Sequence, residues 1–83
     1  MENTLIIPRK VQRDLKNIDS RYKTRILVAL ASLAKNPFLG KKLDGEYMLQ
    51  RSYEVWPYRI IYEFRKTKLV VLIIRIGHRQ GVY

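Results

Sequence analysis

Tyr58-Arg59-Ile60-Ile61-Tyr62-Glu63-Phe64-Arg65-Lys66-Thr67-Lys68-Leu69-Val70-Val71-Leu72-Ile73-Ile74-Arg75-Ile76 decides the fold. Two runs rich in β-branched and aromatic residues, Tyr58 to Arg65 and Leu69 to Ile76, flank a tight connection at Lys66-Thr67. Such residues suit a pleated, half-buried surface, and a connection this tight makes the runs an antiparallel hairpin. With a two-residue loop, the period of two puts Tyr58, Ile60, Tyr62 and Phe64 on one face with Leu69, Val71, Ile73 and Arg75. Arg59, Ile61, Glu63 and Arg65 fall on the other face. One side is apolar and the other charged, as expected of an antiparallel sheet covered on one side only.

Upstream, Tyr47 to Val55 reads as a third strand. Tyr47, Leu49, Tyr53 and Val55 alternate with Met48, Gln50, Ser52 and Glu54, and Arg51 interrupts the apolar side. Trp56-Pro57 is a turn, and Trp56 is expected to pack over the end of the core or, if exposed, to stack on a base or a partner. Phe38 to Glu46 reads as a loop containing Gly40 and Gly45.

Before the loop, apolar residues recur at helical spacing. Val11, Leu15 and Ile18 share one face of a first helix that begins at Pro8, where a missing N–H costs nothing. Arg9, Lys10, Arg13 and Lys16 occupy its other face. Asp19 or Ser20 can cap a second helix, whose apolar stripe is Tyr22, Ile26, Ala29, Leu30 and Leu33. Asn36-Pro37 ends it, because a residue before proline avoids the α region. Leu5-Ile6-Ile7 is a short first strand. The order is β-α-α-β-β-β: an α+β domain spanning residues 1–83, with an N-terminal two-helix hairpin packed on one face of a small, mainly antiparallel sheet.

The 83 residues fill one domain, and a chain of this size buries only about 60–65% of its unfolded surface. There is no cysteine, which excludes a disulfide framework and thiolate metal sites. One histidine and no clustered acids also speak against a catalytic metal, and no cofactor is implied. The N-terminus lacks a signal peptide's charged start and apolar core, and no apolar run approaches a membrane span. A cytoplasmic, soluble protein is expected. Seventeen Lys and Arg face seven Asp and Glu, for a net charge of +10, which favours polyanionic partners, above all nucleic acid.

The end, Gly77-His78-Arg79-Gln80-Gly81-Val82-Tyr83, gathers an imidazole, a guanidinium and a phenol just past a strand. Arginine holds a phosphate through paired donors, while histidine and tyrosine can move protons. In the hairpin this end lies beside Tyr58-Arg59, so Arg59 and Arg79 can converge around one groove and stabilise charge developing at phosphorus. The alternative partner of Arg59 is a neighbouring carboxylate, Glu54 or Glu63.

Four segments carry a resemblance that spans essentially the whole chain: Leu33-Ala34-Lys35-Asn36-Pro37, Lys42-Leu43-Asp44-Gly45, Pro57-Tyr58-Arg59-Ile60-Ile61-Tyr62-Glu63, and Ile76-Gly77-His78-Arg79-Gln80-Gly81-Val82-Tyr83. In this order the chain resembles the RelE/ParE superfamily of bacterial toxins. The resemblance implies the toxin of a type II toxin–antitoxin pair. RelE-like members cut mRNA in the ribosomal A site without a metal, the 2′-hydroxyl attacking the adjacent phosphate. It further implies that Arg59 and Arg79 bind phosphate and that Tyr83 stacks on a base or transfers a proton. His78 is the candidate general acid or base, since an imidazole titrates near working pH. The implied partners are a cognate acidic antitoxin, mRNA on the ribosome and ribosomal RNA, with no membrane and no small-molecule cofactor.

The chain departs from the family at identifiable positions. The family often carries Lys or Arg on the polar face of the strand before the Tyr-Arg pair; here Ser52 and Glu54 stand there. Arg51 points to the opposite face by alternation unless a bulge intervenes, and Trp56-Pro57 replaces the usual Gly-Asp. Glu54 is then either a base in a modified site or a lost cationic position. Three functions stay open: a ribosome-dependent mRNA endoribonuclease, a ParE-like inhibitor of DNA gyrase, and a catalytically weak binding module of the same fold. Arg79 and Tyr83 favour the first; Ser52 and Glu54 favour the last.

Overall fold

In the computed structural model, which describes residues 3–45, 49–78 and 80, the hairpin read from the sequence forms the floor of the core. Its strands are β4 (Tyr58–Arg65) and β5 (Val70–His78), preceded by β1 (Thr4–Ile6), α1 (Arg9–Lys16), α2 (Ser20–Lys35), β2 (Lys41–Lys42) and β3 (Gln50–Val55). The sheet order is β1-β5-β4-β3-β2. Among the described residues only the β1–β5 pair is parallel. The α+β class and the helix hairpin on one face stand as expected, with β2 added.

The helices form where the apolar spacing places them. Val11 of α1, Ile18 of the connection, and Ile26, Ala29, Leu30 and Leu33 of α2 meet Ile60, Tyr62, Val71, Ile73 and Ile76 of the sheet in one cluster. Burying one such aliphatic side chain stabilises by about 1.5–3 kcal/mol. Asp19 caps α2 by accepting the Arg21 amide at 2.9 Å, and the Arg21 side chain bonded to it holds its carboxyl below the ordinary range. The basic residues Arg9, Lys10, Arg13 and Lys16 face solvent.

Several details differ from the sequence reading. The hairpin connection is Lys66 to Leu69 rather than two residues, because Arg65 pairs with Val70 and Leu69 takes a positive φ of 52°. The pairing also slips between Ile61 and Tyr62: Ile61 faces Arg75, yet Tyr62 faces Ile73. Ile74 is therefore an extra residue, a β-bulge. It turns Arg75 away from the helices and onto the face of Ile61, the reverse of the expected side.

The last strand continues through Gly77 and His78, which the sequence reading put in the tail. Leu49 lies ahead of β3, outside the alternation, and is 75% exposed. Trp56 is 58% exposed rather than packed over the core, and its carbonyl accepts a bond from Arg25 Nη1 at 3.0 Å.

Candidate active site on the open face of the sheet

Both helices pack on one face of the sheet, and among the described residues no helix covers the other. Register places Glu54 directly across from Arg59, and Ser52 across from Ile61. Arg59 lies across from Gly77 on its other side, a residue that has no side chain of its own. The Arg59 guanidinium approaches Glu54 with Nη2 3.4 Å from Oε1. The Arg59 side chain keeps 21% of its surface exposed and that of Glu54 keeps 50%. Of the two acidic neighbours considered for Arg59, the one in ion-pair contact is Glu54; Glu63 bonds Arg65 at 2.8 Å.

A segment read from sequence as a loop completes the site. Tyr62 is fully buried; its hydroxyl donates to Pro37 O at 2.7 Å and accepts the Gly40 amide at 2.8 Å. Arg51 Nη1 donates to Gly40 O at 2.9 Å, and its guanidinium carbon lies 5.1 Å from the centre of the Phe38 ring. Arg51 thus points to the helix side, as alternation requires, and anchors the chain instead of joining the open face. Held this way, Lys41 pairs across from Ser52 and Lys42 across from Arg51. The result is a cleft of about 550 Å³ lined by Lys41, Lys42, Asp44, Ser52, Glu54 and Arg59, with Leu39, Leu43 and Tyr53 at its sides.

His78 is not brought to this cleft. It pairs across from Tyr58, on the face opposite Arg59, with ring centres 6.1 Å apart edge to face. Tyr58 in turn packs edge-on against Tyr22 at 5.7 Å. The Gln80 amide reaches His78 Nδ1 at 3.5 Å. Arg79 and Tyr83 lie outside the described residues. The structure therefore unites Arg59 and Glu54 and separates His78 from them. It adds Lys41 and Lys42, which sequence reasoning missed because two lysines show no alternation. Arg75 joins the same face through the bulge.

The sequence profile of the ParE toxin of type II toxin-antitoxin systems, parDE, matches residues 5–83. The chain belongs to this toxin family. Among solved structures, the toxin is similar to a chain of the RelBE2 toxin–antitoxin complex from Mycobacterium tuberculosis, with 25% identity and a TM-score of 0.87, covering 95% of this chain and 100% of that one. The archaeal RelE–RelB complex from Pyrococcus horikoshii matches at 23% identity and a TM-score of 0.81, over 98% and 99% of the two chains. Isolated RelE from E. coli matches at 19% identity and 0.79, over 92% and 83%. The last two likenesses speak to fold alone. No curated protein matches the toxin in a comparison of sequences. Among its described residues no helix is long and apolar enough to cross a membrane.

Proposed function

We propose that this toxin is a ribosome-dependent mRNA endoribonuclease acting through the open-face cleft. The observation that carries the reading is Arg59 and Glu54, 3.4 Å apart, in a cleft that Lys41 also lines. A cation binds the phosphate and opposes the charge that grows on it in the transition state. A carboxylate accepts a proton. In this reading Glu54 takes the proton of the 2′-hydroxyl, and the 2′-oxygen attacks the adjacent phosphorus. The bond to the 5′-oxygen breaks, and that oxygen takes up a proton from Tyr83. The products are a 2′,3′-cyclic phosphate and a 5′-hydroxyl end. Arg79 joins Arg59 on the phosphate. His78 receives no part here, because it shares the face of Tyr58.

So few groups need a substrate oriented for them, and holding reactants in an attack geometry supplies much of a barrier reduction. The ribosome provides that orientation, with ribosomal RNA against the toxin's basic surface. The physiological inhibitor is a cognate acidic antitoxin, in keeping with the toxin–antitoxin complexes among the similar structures. The setting is the cytoplasm.

The ParE name of the matching family favours a second reading, inhibition of DNA gyrase. Parallel assays separate the two. The expected result is arrested cell-free translation with gyrase supercoiling intact; arrested supercoiling with translation intact would favour the second reading. RNA binding with neither effect would leave the toxin a binding module of this fold.

A further inference from the structure

On the open face β3 presents Gln50, Ser52 and Glu54, paired across from Glu63, Ile61 and Arg59. None of the three is a cation, and Glu54 offsets part of the charge of Arg59 at 3.4 Å. A phosphate entering the cleft would meet one partly neutralised guanidinium on β4 and a carboxylate beside it. The neighbouring strand changes this balance. Lys41 lies directly across from Ser52, so the two Cβ atoms stand about 5 Å apart. Lys41 is exposed and lines the same cleft as Arg59. Among the described residues no carboxylate stands within ion-pair distance of it. The small Ser52 side chain leaves room for the four-carbon lysine arm to swing over β3 towards Arg59. Beyond Ser52 lies Ile61, 3% exposed and without charge, so Lys41 has no competitor in that row until Arg75.

We propose that Lys41, carried by the two-residue strand β2, is a phosphate-binding residue of the cleft and supplies across Ser52 the positive charge that the cleft-facing side of β3 lacks. The ligand is the backbone of single-stranded RNA, its phosphate held between Lys41 and Arg59. The proposal rests on the RNA-cleaving reading above but is tested by two measurements that can fail separately.

The first measurement is binding of a single-stranded RNA oligonucleotide, blocked at its 2′-oxygens against cleavage, to the purified full-length toxin over a range of salt. Each lost phosphate contact on a single strand lowers the slope of log K against log salt by about 0.7. Lys41→Ala should lose about that much, and Lys68→Ala, in the β4–β5 turn, should lose none. The second is ribosome-dependent mRNA cleavage. Lys41→Ala should slow it about tenfold, a loss of about 1.4 kcal/mol in transition-state binding. Adding Ser52→Lys to Lys41→Ala should restore most of the loss, because the two positions face each other. A Lys41→Ala toxin with unchanged slope and unchanged cleavage would overturn the proposal, as would a double variant no better than Lys41→Ala in both assays. If the wild-type toxin cuts no mRNA, the catalytic reading falls, and the binding slope alone decides the role of Lys41.

Discussion

The Gly40 amide donates to the Tyr62 hydroxyl at 2.8 Å, joining the start of β2 to the centre of the sheet. The same hydroxyl donates to Pro37 O at 2.7 Å. This contact fixes where Lys41 enters the cleft. It also leaves no room at Gly40: a Cβ there would lie 2.5 Å from Tyr62 Oη, 2.7 Å from Tyr62 Cε1 and 3.0 Å from Ser52 O.

Gly40→Ala is therefore expected to destabilise the fold. Tyr62 is buried and bonded on both sides, so its ring cannot swing away cheaply, and overpacking of this kind costs about 1–3 kcal/mol. For a domain of this size that lowers Tm by several degrees, at about 4–8 °C per kcal/mol. A thermal melt followed by circular dichroism checks it. An unchanged Tm would mean that β2 shifts freely, and the placement of Lys41 would then lose its support.

Tyr62 gives stability a dependence on alkaline pH. Burial pushes its phenol above the ordinary tyrosine value, partly opposed by the bond from Gly40. The folded state then keeps the proton after the unfolded chain has lost it. The resulting stability is fully present below pH about 10, the unfolded value, and is lost as pH rises through the higher folded value. Tyr62→Phe strands the Gly40 N–H and the Pro37 carbonyl, costing about 1–3 kcal/mol at neutral pH. Urea melts from pH 8 to 11 should show this gap narrowing above about pH 10. A constant gap would count against the buried, bonded phenol.

Much of this architecture was legible in the chain. Val11, Ile26, Leu30 and Leu33 announce two helices by spacing alone, and all four are buried. The charged face with Arg59, Glu63 and Arg65 followed from alternation and holds in the register. What was not legible depends on contacts far apart in sequence. Lys41–Lys42 becomes a strand only because Tyr62 and Arg51 hold Gly40. The bulge at Ile74 carries no local sign, yet it moves Arg75 from one face to the other. Chain proximity groups His78 with the tail's functional residues, but a strand sends consecutive residues to opposite faces. Gly77 therefore lies beside Arg59 and His78 beside Tyr58.

Arg59→Ala should lower mRNA cleavage more than Lys10→Ala. A guanidinium at the reacting phosphate acts on the transition state, and removing one preorganised charge costs about 3 kcal/mol, or around a hundredfold in rate. Lys10, exposed on α1, contributes only to general attraction. Single-turnover cleavage on ribosomes measures the difference. Equal small losses from both changes would reduce Arg59 to part of a binding surface.

Antitoxin capture should be fast and salt-sensitive. A +10 domain draws an acidic chain from solution, and such steering raises the on-rate chiefly at low ionic strength. Stopped-flow association between about 50 and 300 mM salt, over which the Debye length falls by more than half, should show a marked decline. An on-rate indifferent to salt would contradict electrostatic recruitment.

Whether the cleft cuts mRNA on the ribosome is decided by mapping mRNA 5′ ends in a cell-free translation reaction, with wild-type toxin and with Glu54→Gln. New 5′ ends are expected only when ribosomes are present. Glu54→Gln should cut the rate of their appearance by about 10²–10⁴, the range of general-base catalysis, with RNA binding little changed. Cleavage of naked RNA at the same rate, or a Glu54→Gln toxin as active as the wild type, would contradict it.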